Sequence, residues 1–389
     1  MLVVAPQPFY TDRGTPIATR YLIEALLTLG YQVDVLTYPM GESLDIAGVD
    51  VSRLPNPLKI NRVPIGFSWR KCWLDAFLFS GIARALRARE YACVTAVEES
   101  AFVAALIAPR YGVPVLYDMQ SSLAEQLGHM APFNNGVGRT FLDACERWLL
   151  DHVDLVMTSA GLAERVRRTS PEAVVREWRY PGLEERATPA EIDRLRKDLD
   201  MEGAGPVIVY GGNFAEYQGL APLIESMSTV LSSFPDAVLV LVGAGSEQEL
   251  EDVLRLTARL PDGATRVLRR QARASMHRYF GLADILVSPR QFGENLPLKV
   301  LDYMIAGRPI LATDIPAHGT VLEEDRAALV GLDGPSLASG IIALLGDYER
   351  RRRLGQNARA FAQEKLGWFR YVHSVGEAFN LLVGDGRRH

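Results

Sequence analysis

Two carboxylates eight positions apart, Glu294 and Asp302, stand in the stretch SPRQFGENLPLKVLDYMIAGRPILAT, residues 288–313. Ionised carboxylates only accept hydrogen bonds, which suits both to sugar hydroxyls. The apolar run 284–287, followed at once by Pro289, predicts a buried strand. Gly293, Glu294 and Asn295 fall in the loop after it, and Pro297 suits the first position of a helix with Asn295 or Leu296 just outside. Leu298, Leu301, Tyr303, Met304 and Ile305 give that helix an apolar face, Gly307 ends it, and 309–313 reads as a closing strand. At about 1.5 Å per residue, Asp302 lies roughly 7–8 Å along the helix from its start. The two acids therefore cannot act on one atom, but they can grip two ends of an extended ligand.

A strand–loop–helix–strand unit in a parallel sheet puts the loop and the helix N-terminus at the carboxyl edge, where ligands bind. Free N–H groups and the positive end of the helix dipole suit an anion such as phosphate there. The same alternation recurs along the chain. Strands are expected at 206–210, 237–243 and 265–268, with helices at 221–231 and 247–259. In the first half, a strand at 2–5, a loop at 6–16, a helix at 17–29 stopped by Gly30 and a strand at 31–37 form a βαβ unit. Further strands are expected at 93–97, 114–117 and 155–158, each followed by polar residues. The strand pattern lapses between Trp178 and Gly205, where Tyr180, Pro181 and Gly182 and a charged stretch, 184–200, predict a linker and a polar helix. Two successive alternating halves predict an α/β chain of two doubly wound, Rossmann-like domains facing a cleft. The expected boundaries are 1–180 for the N-terminal domain, 181–205 for linker and polar helix, 206–365 for the C-terminal domain, and 366–389 for a helix returning to the first.

Glu294 and Asp302, with the strand, Gly293, Pro297 and Gly307 around them, resemble the acidic signature of the retaining glycosyltransferases of family four, which have the GT-B fold. That signature usually ends in Glu, so Asp302 is a departure. The resemblance, strongest over 206–330, implies that Glu294 binds hydroxyls of a donor sugar and Asp302 the ribose of a nucleotide, and that 206–365 is the donor side. The loop GGNFAEYQG, 211–219, resembles the family's donor-phosphate loop, but Asn213 and Gln218 stand where basic residues are usual. A diphosphate needs its charge offset, and the cations within reach are Lys299 and Arg290, which are expected to take the missing role beside Glu294. Gly212, Gly293, Asn295, Leu296 and Pro297 complete the expected donor contacts, and Arg270 marks the segment near which the nucleobase would rest.

On the first half the resemblance places Arg13, Gly14 and Thr15 in a loop near donor phosphates and acceptor; a tight turn is the alternative. The three-glycine dinucleotide fingerprint is missing, which sets NAD aside. Gln120 occupies the place where the family often carries a His, and Gln cannot serve as a base. Glu98, Glu99 and Asp118 are then the candidates to contact an acceptor hydroxyl.

The function implied is transfer of a hexose from a nucleotide-diphosphate sugar to an acceptor hydroxyl, with retention. No cofactor and no metal is expected, because the family neutralises its leaving group with protein groups. A degenerate nucleotide- or glycan-binding protein, a nucleotide-sugar epimerase and a phosphorylase of the same fold are the alternatives. The acceptor is left open among a glycan, a lipid-linked glycan and a natural product. A net charge of -5 gives no electrostatic case for wrapping nucleic acid. Cys72, Cys93 and Cys145 have neither metal-ligand nor redox spacing, and no apolar run is long enough to span a bilayer. The opening MLVVAPQPFY has no basic region or cleavage site, so a cytoplasmic location is expected. Between 65 and 90, Phe67, Trp69, Trp73, Phe77 and Phe79 alternate with Arg70, Lys71, Arg84 and Arg87. A helix packed on the N-terminal domain has that composition, and a peripheral contact with the inner face of a membrane is the alternative.

Overall fold

Short β-branched runs become buried parallel strands in this computed structural model, which describes residues 1–9, 14–42, 46–60, 69–122, 127, 133–178, 180–183, 185–293 and 295–384. The chain divides into two compact units, Met1–Tyr180 with Trp368–His389, and Pro181–Gly367. The first holds β1 (Leu2–Ala5), β2 (Val33–Thr37), β3 (Val49–Arg53), β4 (Val94–Val97), β5 (Val115–Met119), β6 (Leu155–Thr158) and β7 (Val175–Glu177). Their order is β3-β2-β1-β4-β5-β6-β7, and all pairs are parallel. The second holds β8 (Val207–Asn213), β9 (Val238–Ala244), β10 (Thr265–Leu268), β11 (Ile285–Ser288), β12 (Ile310–Thr313) and β13 (Ala328–Val330), also parallel, in the order β10-β9-β8-β11-β12-β13.

Helices on the faces of a parallel sheet explain why β1, β4, β5, β6, β11 and β12 are buried at every residue. In the first unit Leu2, Val4, Ala96, Val115 and Tyr117 pack with Leu74, Leu78 and Ile82 of the helix Trp69–Ala88. In the second, Ile208, Leu239, Leu241, Ile285 and Val287 pack with Leu223, Ile224, Leu337 and Ile341. Each such side chain contributes about 1.5–3 kcal/mol on burial. The last helix, Trp368–Val383, packs in the first unit: Tyr21 lies 6.4 Å from Trp368 and 6.5 Å from Tyr371, ring to ring.

Both sheets share one winding. Counted within each unit, the first strand lies at the centre and the order reverses beside it, between β1 and β4 and between β8 and β11. Ligands in such sheets bind outside the carboxyl ends of the strands at that switch point.

Several boundaries differ from the sequence expectation. β5 runs on to Met119, so Asp118 lies inside a strand, not after one. β8 runs through Gly212 to Asn213, because these residues pair with Gly243 and Ala244 of β9. The first helix begins at Gly14. The polar helix spans only Pro189–Asp198, started by a capping box between Thr188 and Glu191. The helix Trp69–Ala88 buries Leu74, Leu78, Ile82 and Leu86, and leaves Trp73 and Phe79 exposed at 58% and 50%. Among the described residues no helix is long and apolar enough to cross a membrane.

Candidate functional site

At the switch point of the second unit, the loops after β8 and β11 are locked together. Gly219 has φ +72°, and a Cβ there would stand 1.9 Å from the Pro289 carbonyl oxygen, so only glycine allows the approach. The Gln291 N–H donates to Tyr217 O at 2.9 Å. Thr313 hydroxyl donates to Arg290 O, tying β12 to the same loop. Beneath them, buried His318 meets Ser288 Oγ at 2.9 Å through Nε2 and Thr313 O at 2.7 Å through Nδ1, joining the ends of β11 and β12.

Lys299 reaches this loop from the first turn of the helix Leu298–Ala306. Its ammonium donates to Gln218 Oε1 at 2.6 Å and sits 4.1 Å from the centroid of the Tyr210 ring. A Cβ on Gly212 would stand 3.3 Å from Lys299 Nζ, so the cation lies against the glycine loop itself. Burial, helped by the Arg290 guanidinium, holds the Lys299 pKa well below that of an ordinary lysine. Tyr210 is held in turn by donating to Asn213 O at 2.5 Å. Asn213 is exposed, its side chain accepting from Ala215 N of its own loop at 3.3 Å.

Arg290 is used differently. Its Nε donates to Phe292 O at 2.7 Å and its Nη1 to Asn295 O at 3.0 Å, so the side chain shapes the loop that carries Gly293. The guanidinium also lies 5.3 Å from the Tyr217 ring centroid. Pro297 is the residue before the helix, with no side-chain cap, and is not the first helical position expected of it; Leu296 beside it is half-buried. Glu294 lies outside the described residues.

Asp302 is bound within the unit. It is 3% exposed, and Arg273 grips it through Nη2–Oδ1 at 2.9 Å and Nη1–Oδ2 at 3.0 Å. Leu183 N–H donates to Oδ1 at 2.8 Å as well. Arg270 is exposed, and Arg273, three residues on, touches Asp302 of the signature. Sequence reasoning missed Arg273, since its partner is 29 positions away. His277 is buried, its Nδ1 against Ala274 O at 2.7 Å.

In the first unit, Arg13 lies outside the described residues. Gly14 is exposed, and the Thr15 carbonyl accepts from Thr19 Oγ1 at 2.9 Å. Glu98 follows β4 with φ +52°, a backbone strain for a non-glycine residue, and both its carboxylate oxygens accept from Ser121 Oγ, at 3.1 and 3.2 Å. Glu99 is half-buried at the start of the helix Ser100–Ile107. Asp118 is fully buried one residue before the end of β5, level with Val97, the last residue of β4. Its Oδ1 accepts from Gln120 Nε2 at 2.8 Å and from Tyr180 OH at 3.4 Å, and Gln120 also donates to Tyr180 OH. Burial pushes the Asp118 carboxyl up to about 7, against the pull of those two donors. Among the described residues no three His, Cys, Asp or Glu side chains gather as a metal-ligand set.

Comparison with known proteins follows the two units. The family described as glycosyl transferases group 1 matches residues 191–361, and the glycosyl transferase 4-like domain matches residues 13–179. A phosphatidyl-myo-inositol mannosyltransferase of Mycobacterium tuberculosis is 25% identical over 57% of this chain and 61% of its own length. A GDP-mannose-dependent monoacylated alpha-(1-6)-phosphatidylinositol monomannoside mannosyltransferase of Corynebacterium glutamicum is 30% identical over 52% of this chain and 53% of its own. The chain thus spans less than two thirds of the length of these curated relatives. Among solved structures, a sucrose-phosphate synthase from Thermosynechococcus elongatus superposes with a TM-score of 0.83 at 20% identity, over 98% of both chains. The Anabaena protein HepE in complex with UDP and glucose does so at 0.76 and 16% identity, over 97% of this chain and 98% of its own. With one model matched to each unit in chain order, and a doubly wound parallel sheet within each, the chain belongs to the group 1 glycosyltransferases of family four, with the GT-B fold.

Proposed function

We propose that this chain moves a hexose from a nucleotide-diphosphate sugar to an acceptor hydroxyl, with retention and without a metal. The observation that carries the reading is Lys299. The glycine loop after β8 lacks its own cation, and Lys299 brings one to it from a different element, 2.6 Å from Gln218. A diphosphate leaving group develops negative charge, and a preorganised ammonium beside a helix N-terminus offsets that charge without reorganisation. Arg290 holds the neighbouring loop in shape and adds positive potential. Glu294, by resemblance, orients the donor sugar through its hydroxyls. The acceptor hydroxyl then attacks on the face the diphosphate leaves, its proton passing to the departing phosphate oxygen.

Relatives named for phosphatidyl-myo-inositol and GDP-mannose, and a structural neighbour holding UDP and glucose, support a nucleotide-sugar donor and a lipid-borne acceptor. Exposed Trp73 and Phe79 fit an enzyme that works at a membrane face. The test is incubation with GDP-mannose or UDP-glucose and phosphatidylinositol vesicles, with product mass and anomeric configuration read out. Transfer with retention that falls at least about tenfold in Lys299→Ala supports the reading. Tight binding of a nucleoside diphosphate without turnover of any nucleotide sugar replaces it with a binding protein.

A further inference from the structure

Residues 181–183, which open the second unit, lie directly on the helix Leu298–Ala306. Gly182 is buried, and a Cβ there would stand 2.7 Å from the Leu301 carbonyl oxygen and 2.8 Å from Ile305 Cγ1. Only glycine permits that approach. One residue on, the Leu183 N–H is held by Asp302, the last acid of the signature.

The same carboxylate is gripped by both terminal nitrogens of Arg273. An ionised carboxylate offers about four lone-pair positions, and a pair of ribose hydroxyls would need two of them. In Asp302, Arg273 takes one position on each oxygen and Leu183 takes the second on Oδ1. At 3% exposure, what is left on Oδ2 faces little open space. The shorter Asp is what makes this possible: it keeps the carboxylate close to the helix, where Arg273 and Leu183 meet it.

We infer that Asp302, with Arg273, is a positioning pair that anchors the first residues of the second unit onto the helix Leu298–Ala306, and that it does not read the ribose. The nucleotide arm of the inference rests on the proposed donor role of this unit; the anchor does not. Bidentate geometry gives Arg273 a part that lysine cannot play.

Two measurements test it. Dissociation constants of UDP and GDP and of their 2′,3′-dideoxy forms are determined for the full chain and for Asp302→Asn. The dideoxy-to-ribo ratio is expected to agree between the two proteins within about twofold, as for uncoupled groups; a ratio that collapses about fivefold or more in the variant overturns the inference. In parallel, trypsin cleavage after exposed Arg186 is timed in wild type, Asp302→Asn and the milder Arg273→Lys. Release of the anchor is expected to speed cleavage by about fivefold or more in both variants, since local opening exposes the bond. Unchanged cleavage in both overturns the anchor. Failure of either diphosphate to bind wild type sinks the donor reading instead, and the cleavage rates then decide the anchor alone.

Discussion

Lys299 and Gln218, on opposite sides of the switch point of the second unit, meet at 2.6 Å, Nζ to Oε1. Gln218 occupies the place where the family-four loop usually carries a cation, and Lys299 brings an ammonium beside it from the facing helix. That relation can be inverted. Lys299→Gln is expected to weaken nucleoside-diphosphate binding about 10–100-fold, the worth of a charge-assisted hydrogen bond. Adding Gln218→Lys to that variant returns an ammonium to the same locus from the other side and should recover at least about tenfold of the loss. Calorimetry on the two single variants and the double variant decides it; a double variant as weak as Lys299→Gln shows that the locus is not a phosphate site.

Proton exchange offers a second handle on the same residue. Burial and Arg290 hold the Lys299 pKa down in the free protein, and a bound diphosphate would raise it again. Affinity is therefore highest below the free-state pKa and declines as pH rises through it, and above it binding takes up a proton. The binding enthalpy should change with the ionisation enthalpy of the buffer, and that dependence should vanish in Lys299→Met. Equal buffer dependence in wild type and variant would assign the proton elsewhere.

Most of the fold was legible because parallel strands covered on both faces are continuous apolar runs, as in Leu2–Ala5 and Ile285–Ser288. What escaped had no such signature. β3 is an edge strand with exposed Asp50, Ser52 and Arg53, and β7 and β13 have three residues each. Side-chain placement was legible where the contact is local. Lys299 could be named from one loop and one helix, since they meet in a unit of known winding. Asp302 could be named as an acid but not as an anchored one. Its state depends on Arg273 and Leu183, 29 and 119 positions away, and no spacing rule links them.

Glu98 stores strain that a glycine would release. A non-glycine residue held at φ +52° costs about 1–3 kcal/mol, and the Ser121 hydrogen bonds return about 1 kcal/mol of that. Glu98→Gly is thus expected to leave the thermal midpoint unchanged or raise it by a few degrees. If the carboxylate meets the acceptor, the same variant loses at least about tenfold in transfer while its diphosphate affinity stays the same. A lower midpoint with full transfer would make Glu98 a folding residue.

Asp118 sets a pH dependence of the opposite kind to most acids. Among the described residues its buried Oδ2 has no hydrogen-bond partner, and burial lifts the carboxyl from 3.8 to about 7, more than Gln120 and Tyr180 can offset. Between those values the folded chain keeps a proton that the unfolded chain has lost. Stability from this residue is therefore full below about pH 4, falls as pH rises to about 7 and stays low above it. About 3 pK units correspond to an upper bound of ~4 kcal/mol. Asp118→Asn keeps an oxygen for Gln120 and Tyr180 and cannot ionise, although its amide lacks a partner at Oδ2's place. The variant should melt above wild type at pH 8 and at or below it at pH 4, with the gap closing across the window. Thermal scans at half-unit steps would show it. Parallel curves would mean that Asp118 ionises without cost, and that the Gln120–Tyr180 contacts already solvate the charge.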